Sequence, residues 1–359
     1  MRSPIAFLSL YPPNTAASQR FRVEQFFPSW KQMGIPVDTH PFYSAAGYRI
    51  LYTSGHTPKK VWETLLAYGR RFRLLFNLSA YDTILVQRSV TPLGPPILEW
   101  LIVKVLRKQL IYDFDDAIWI PDPESSMLVR LLKFYPKVGM ICRWSHVVVT
   151  GNDYLADYAR RFNDKVVVIP TVVDTDNKYV PGDDNTHKNI LTIGWTGSHS
   201  TLRHLELIAS ALDAVQKDSG AMFRVIANQR PTLPNLEFEF EPWRAENEIT
   251  ELDKIDIGVM PLYADPWAEG KCGFKAIQFM AMGKPVVVTP LGVNKKIVDH
   301  SENGYLAETT EEWIEFLLRL IRDVKLRKYQ GNSARQKIVR SYSIRAALPA
   351  WQRIFRLVE

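Results

Sequence analysis

WAEGKCGFKAIQFMAMGKPVVVTPLGVN, residues 267–294, is the stretch on which the reading of this chain turns. An apolar strand ends near Pro261, a loop carries Glu269, Gly270, Lys271, Cys272 and Gly273, and the spacing predicts a helix from about Phe274. The first N–H groups of such a helix lack partners and its dipole is positive there, so the opening attracts phosphate oxygens. Lys271 and Lys275 add full charges, and Gln278, one turn beyond Lys275, reads as a hydrogen-bond partner for a ribose hydroxyl. The plainer reading of the same residues is a capped core helix with solvated lysines and a Gly283-Lys284-Pro285 turn into a buried strand.

Working outward, the pattern alternates strand and helix on both sides of this stretch. In the first half the strand candidates are Ile5–Leu10, Thr83–Gln87, Leu110–Tyr112, Val147–Thr150 and Val166–Ile169. Helical periodicity covers Ser18–Met33, Lys59–Leu78, Pro96–Arg107, Leu128–Cys142 and Asn152–Phe162. A polar, turn-rich segment, Asp174–Asn189, reads as the linker. The alternation then restarts. Strands are expected at Ile190–Trp195, Phe223–Ala227, Leu236–Phe240, Ile257–Met260 and Pro285–Thr289. Helices are expected at Arg203–Gln216, Ile249–Leu252, Phe274–Met282, Glu311–Ile321, Val324–Ser341 and Ala346–Leu357. Strands alternating with helices imply βαβ units and parallel sheets, whose ligands bind beyond the carboxyl ends of the strands.

Composition agrees with two folded α/β domains: 359 residues exceed one compact core, and 46% hydrophobic with 23% charged residues excludes the disordered class. The run IAFLSL near the start is too short for a signal-peptide core and reads as a first buried strand. Glu99, Lys104 and Lys108 interrupt the best candidate for a membrane span. Two cysteines, Cys142 and Cys272, make neither a disulfide framework nor a metal cluster, and point to a reducing cytoplasm. The charge is lopsided: residues 1–180 hold 22 Lys+Arg against 15 Asp+Glu, and residues 181–359 hold 23 against 23. A basic first half suits an acidic partner surface.

The core GKCGFKAIQ followed by MAMGKPVV resembles the donor-binding signature of glycosyltransferase family 4 (group 1), and PLGVNKKIVDHSENGYLA extends the likeness. The resemblance implies the GT-B fold, two Rossmann-like domains facing each other across a cleft, and a retaining transfer from a nucleotide-sugar donor. It implies that a diphosphate leaving group, gaining charge as the glycosidic bond breaks, lies at the helix opening. Most of that family carries two glutamates eight positions apart. Here Gly270 and Gln278 hold those positions, and Glu269, one residue early, is the candidate substitute for the first. In ILTIGWTGSHSTLRHLELI, Gly194 and Gly197 allow close backbone approach, Ser198 offers a hydroxyl, and Arg203 takes the family's basic position against the diphosphate. Trp243 reads either as a cover for the nucleobase or as a packing tryptophan.

In QLIYDFDDAIW, Asp113, Asp115 and Asp116 end an apolar strand. Three functional readings compete: a haloacid-dehalogenase-type phosphatase using Asp113 and Asp115, a divalent-metal Asp-x-Asp, and a strand-end loop in which Asp115 or Asp116 orients the acceptor. A loop-ordering Asp pair is the structural alternative. Arg20 and Arg22 near the first strand, and Arg88 after Thr83–Gln87, are expected to hold a phosphate on the acceptor; the alternative is surface arginines. Segment 59–78 combines Trp62, Leu65, Phe72 and Phe76 with Lys59, Lys60, Arg70, Arg71 and Arg73, which suits either anionic lipid or domain packing.

These readings assemble into one expectation. Residues 1–175 bind the acceptor, joined by the last helix, 342–359; residues 185–341 bind the donor. The catalytic set is Asp115, Asp116 and Glu269. The donor set is Gly197, Ser198, Arg203, Lys271, Cys272, Gly273, Phe274, Lys275 and Gln278. No metal or other cofactor is expected, and no nucleic acid. The partners are a nucleotide-diphosphate sugar, a saccharide or lipid-linked acceptor, and an anionic membrane surface on the inner face of the plasma membrane. The setting implied is envelope or exopolysaccharide assembly. A catalytically silent GT-B protein that binds a nucleotide sugar is the other class left open.

Overall fold

The structure, a computed structural model, describes residues 3–51, 53, 55–121, 125–182 and 190–358. The chain divides into two compact units, Met1–Thr171 with Ala347–Glu359, and Val172–Ala346. Each is built on a sheet of six parallel strands among the described residues.

The first unit contains β1 (Ile5–Ser9), β2 (Val37–Pro41), β3 (Thr83–Gln87), β4 (Gln109–Phe114), β5 (Val147–Thr150) and β6 (Val166–Val168), in the order β2-β1-β3-β4-β5-β6. β1 is wholly buried between β2 and β3, as its unbroken apolar run requires. Its helices are α1 (Ala17–Arg22), α2 (Phe27–Gln32), α3 (Ala45–Leu51), α4 (Thr57–Leu75), α5 (Ile97–Trp100), α6 (Met127–Lys133), α7 (Lys137–Trp144) and α8 (Asp153–Arg160). Right-handed crossovers put α3–α8 on one face of the sheet, and α1 and α2 on the other.

Two long helices expected from periodicity are broken, each for a local reason. Ser18–Met33 is interrupted where Val23 leaves the helical region and Glu24–Phe26 form a 3₁₀ turn, with Pro28 opening α2. Leu128–Cys142 is split because Phe134 is left-handed, at φ 49°, and Pro136 caps α7. β2 was not anticipated, since its sequence VDTHP is polar and sits at the sheet edge.

The second unit contains β7 (Thr192–Gly197), β8 (Met222–Ala227), β9 (Glu239–Pro242), β10 (Ile257–Met260), β11 (Val286–Val288) and β12 (Gly304–Leu306), in the order β12-β11-β10-β7-β8-β9. Its helices are α9 (Ala209–Ser219), α10 (Glu248–Asp253), α11 (Pro266–Glu269), α12 (Phe274–Ala281), α13 (Asn294–Ile297), α14 (Thr310–Arg322) and α15 (Val324–Ser341). The helix expected from Arg203 instead begins as a 3₁₀ stretch, His199–Ile208, and becomes α-helical only at α9. The strand expected at Leu236–Phe240 lies further along, at β9, because Leu236 turns into the core ahead of it.

The segment read as a linker starts inside the second unit. Val173 exchanges backbone hydrogen bonds with the chain around Tyr342 and Ile344, at 3.0 and 3.2 Å. The Arg335 guanidinium donates to the carbonyls of Thr175 (2.6 Å), Tyr179 (2.5 Å) and Ala281 (2.6 Å). Residues 183–189 of that segment lie outside the described residues. The final helix, α16 (Ile344–Leu357), lays Trp351 and Phe355 against Trp30 of α2, with ring centroids 4.9 and 5.0 Å apart.

Candidate functional site

In the second unit, the loops after β7, β10 and β11 meet at the start of α12. Gly273 caps that helix in the left-handed region, φ 66°, and a Cβ there would sit 2.2 Å from Ile297 Cδ1; both facts demand glycine. A Cβ on Gly197 would lie 2.7 Å from Lys275 Cε, so the Lys275 stem crosses the β7 loop, with Nζ 5.3 Å from the Trp195 ring centre. Lys271 Nζ lies 5.3 Å over the Trp267 ring. Arg203 pairs with Asp265 at 3.0 Å, while Asp265 caps α11 by accepting from Ala268 N at 2.7 Å.

These cations surround His204, a residue the sequence reading passed over. His204 Nδ1 accepts from the Tyr263 backbone N–H at 3.1 Å. Burial first, then the charges of Lys275, Arg203 and Lys271, hold the imidazole down at about 4, so it is neutral and keeps its proton on Nε2. Arg203, Lys271 and Lys275, up to 72 positions apart in sequence, are thus brought to one place by the strand-end loops. The only sequence signal was the adjacency of His204 to Arg203.

Glu269 stands half-buried beside this loop set. Its carboxylate has no hydrogen bond or ion pair among the described residues, and Oε2 comes within 3.2 Å of where a Gly292 Cβ would lie. Cys272 is buried, with Sγ 4.0 Å from Gly270 O, and Phe274 is half-buried at the helix opening. Ser198 is exposed; its hydroxyl pairs with Ser200 at 3.0 Å and its carbonyl accepts from Thr201 N at 2.9 Å. Trp243 is half-buried just after β9, with its backbone N–H donating to Ala227 O at 2.9 Å.

Gln278 requires a correction. It is 4% exposed, and its Nε2 donates to the Tyr179 hydroxyl at 2.9 Å and to Glu248 Oε1 at 3.2 Å. Glu248 is itself paired with Lys178 at 2.9 Å. Gln278 is therefore the hub of a buried polar network under α12, and its amide N–H groups are not offered to a ribose. A glutamate here would face the Glu248 carboxylate, so glutamine is the residue this neighbourhood accepts.

In the first unit the three aspartates separate. Asp113 is fully buried; Arg22 Nε and Nη2 donate to its two oxygens at 3.3 and 2.5 Å, and Arg22 Nη1 donates to Ile169 O at 2.5 Å. Burial pushes the Asp113 carboxyl up and Arg22 draws it back. The pair ties α1 to β4 and closes two expectations. Arg22, 2% exposed, cannot hold an acceptor phosphate, and Asp113 offers no accessible nucleophile to the phosphatase reading.

Asp115 and Asp116 instead share Arg88. Arg88 Nε donates to Asp115 Oδ1 at 2.9 Å, and Nη2 lies 2.8 Å from Asp115 Oδ1 and 2.7 Å from Asp116 Oδ2. Burial opposes the guanidinium charge, but the two carboxylates outweigh it and raise its pKa. Arg88 is left-handed, at φ 63°, with its N–H on Asp113 O at 2.8 Å and its carbonyl taken by the Tyr112 hydroxyl at 2.7 Å. With two carboxylates closed on its guanidinium, Arg88 is disfavoured as a free phosphate clamp. Arg20 is half-buried, with its guanidinium 4.8 Å from the Phe21 ring centre. Tyr11 lies beside Arg88 and packs on Tyr48 with centroids 5.4 Å apart, an aromatic pair the sequence reading did not include.

Residues 188–323 match the family model "Glycosyl transferases group 1". No curated protein matches the sequence. Among solved structures, the sucrose-phosphate synthase of Thermosynechococcus elongatus superposes with a TM-score of 0.72 at 15% identity, over 99% of this chain and 98% of that one. HepE of Anabaena, solved with UDP and glucose, superposes with a TM-score of 0.71 at 14% identity, over 99% and 100%. A glycosyltransferase from Rickettsia africae gives 0.70 at 15% identity, over 99% and 98%. The fold is therefore GT-B, with two parallel-sheet α/β units, as the restart of the pattern predicted.

Proposed function

We propose that this chain is a retaining glycosyltransferase that takes a sugar from a nucleoside-diphosphate donor bound at the strand-end loops of the second unit. One observation carries the reading: Arg203, Lys271 and Lys275 converge on a neutral imidazole at the glycine-capped opening of α12. Lys271, Lys275, an amide-rich helix end and Arg203, whose charge is shared with Asp265, oppose the charge that grows on a diphosphate as it leaves, so they stabilise the transition state more than the ground state. On this reading no metal is needed to neutralise the leaving group. The group 1 match over residues 188–323 and the binding of UDP-glucose by HepE support a nucleotide-sugar donor.

Glu269, unpaired among the described residues and one residue ahead of the family's first glutamate position, is proposed to contact the transferred sugar. Asp115 and Asp116, oriented by Arg88, are proposed to position a saccharide or lipid-linked acceptor, with the leaving phosphate taking the acceptor's proton on the same face. The setting proposed is cytoplasmic envelope or exopolysaccharide assembly. Thermal-shift screening against UDP-, GDP-, ADP- and CMP-sugars tests donor binding, since a ligand selective for the folded state raises its melting temperature. Donor turnover above a Lys271→Ala control then separates an enzyme from a silent binding protein. No stabilisation by any member of the panel would reject the reading.

A further inference from the structure

Two helices of the first unit, α4 and α6, leave large apolar side chains exposed among the described residues. Trp62 and Phe72 of α4 and Phe76 at its C-cap are exposed, Phe76 at 85%, and they fall on one side at i, i+10 and i+14. The opposite side is the buried one, where Ala67 packs on Phe42 and the Arg71 guanidinium donates to Ser9 O and His40 O at 2.7 Å each. The packing reading thus accounts for only half of this helix.

α6 is more extreme. None of its seven residues is buried, although Met127, Leu128 and Leu131 are large and apolar, and Met127 is 88% exposed. So short a helix has no stability of its own in water. It is held by the Ser126 cap on Val129 N at 3.3 Å and by Gly94 N on Leu132 O at 2.7 Å. The neighbouring carbonyl, Leu93 O, accepts from the hydroxyl of Tyr68 on α4 at 2.6 Å. Residues 93 and 94 of one loop therefore fasten both helices. Single exposed leucines are ordinary, but a helix that buries none of its residues and carries Met127, Leu128 and Leu131 marks a docking surface.

We propose that α4 and α6 together dock this chain on an anionic phospholipid bilayer, with α4 lying in the headgroup plane and α6 entering the acyl boundary. The charge around the patch selects this occupant. Lys59 and Arg73 are exposed along the apolar stripe of α4, Lys133 lies on α6, and the acidic residue of α4, Glu63, is half-buried. An apolar stripe edged by cations suits a helix in the interface of anionic lipid. Among the described residues no helix is long and apolar enough to cross a membrane, so the attachment is peripheral. The proposal does not depend on the transferase reading.

The test is co-sedimentation with vesicles of phosphatidylcholine alone and of phosphatidylcholine with phosphatidylglycerol, using the full chain. The wild type should pellet with the anionic vesicles and far less with the neutral ones. Leu128→Glu/Leu131→Glu and Lys59→Glu/Arg73→Glu should each weaken partitioning by about tenfold or more. Their melting temperatures should stay unchanged, because these side chains are exposed. Wild type that remains in the supernatant with both vesicles, or variants that bind as tightly as wild type, would overturn the proposal. So would a wild-type dimer in sedimentation velocity that Leu128→Glu/Leu131→Glu dissociates, since a second copy would then be the occupant. Nucleotide binding measured on the same samples keeps a failure here distinct from failure of the donor site.

Discussion

Replacing Gln278 by glutamate restores the residue type most of the family places there, yet this chain should tolerate it poorly. Gln278 Nε2 lies 3.2 Å from Glu248 Oε1 in a buried network. A carboxylate oxygen in its place faces a like charge at the same distance, worth about 5 kcal/mol at an effective dielectric constant near 20 if both stay ionised. Lys178, 2.9 Å from Glu248, offsets part of this, and proton uptake by the carboxylate pair relieves more. A net loss of about 2–4 kcal/mol at neutral pH follows, or a melting temperature about 5–10 °C lower for the second unit. The introduced carboxyl has a folded pKa above its unfolded value near 4.3, so the penalty is absent below that pH and grows as pH rises through the folded pKa. Thermal melts of Gln278→Glu at pH 4 and pH 7.5, beside the Glu248→Gln/Gln278→Glu double variant, read all of this. A single variant within about 1 °C of wild type at pH 7.5, or a double variant no better than the single, would refute the network argument.

Other outcomes follow from the same geometry. Arg22→Met leaves Asp113 charged and buried without a partner, and should cost about 3–5 kcal/mol in chemical denaturation, most of it recovered by adding Asp113→Leu. Gly273→Ala must strain a left-handed backbone and push on Ile297, so both the melting temperature and donor affinity should fall together. His204 protonates at about 4 when folded against 6.5 as its ordinary value. Because the folded pKa is lowered, the second unit loses stability as pH falls from about 6.5 towards 4, and His204→Gln should flatten that slope in urea midpoints. Transfer activity should survive a chelating agent, since Arg203, Lys271 and Lys275 are proposed to meet the diphosphate charge; complete loss would contradict that part of the reading.

The alternation of strands and helices was legible because buried strands such as β1, β3 and β5 are unbroken apolar runs. β12, only three residues long, gave no comparable signal. Helix continuity failed where single residues overrode periodicity, as at Val23 and Phe134, since a period describes which side is apolar and not where the backbone turns. At the site, Gly273, Lys271 and Lys275 were readable because they sit within one loop and one helical turn. The partners of Gln278 and Arg22 lie 99, 30 and 91 positions away, and only the topology of the sheets brings them together. Gln278 was assigned by position in a motif; its neighbours gave it a different task. Arg88 was expected to serve an anion because nothing local in its sequence showed that two carboxylates would close on it.

Calorimetric titration of the full chain with the nucleoside diphosphate of its preferred donor tests the grip on pyrophosphate most directly. Wild type should bind, and Lys271→Ala/Lys275→Ala should bind at least about thirtyfold more weakly while melting at the wild-type temperature. Equal affinity in the two proteins would contradict the assignment of the α12 opening as the donor site.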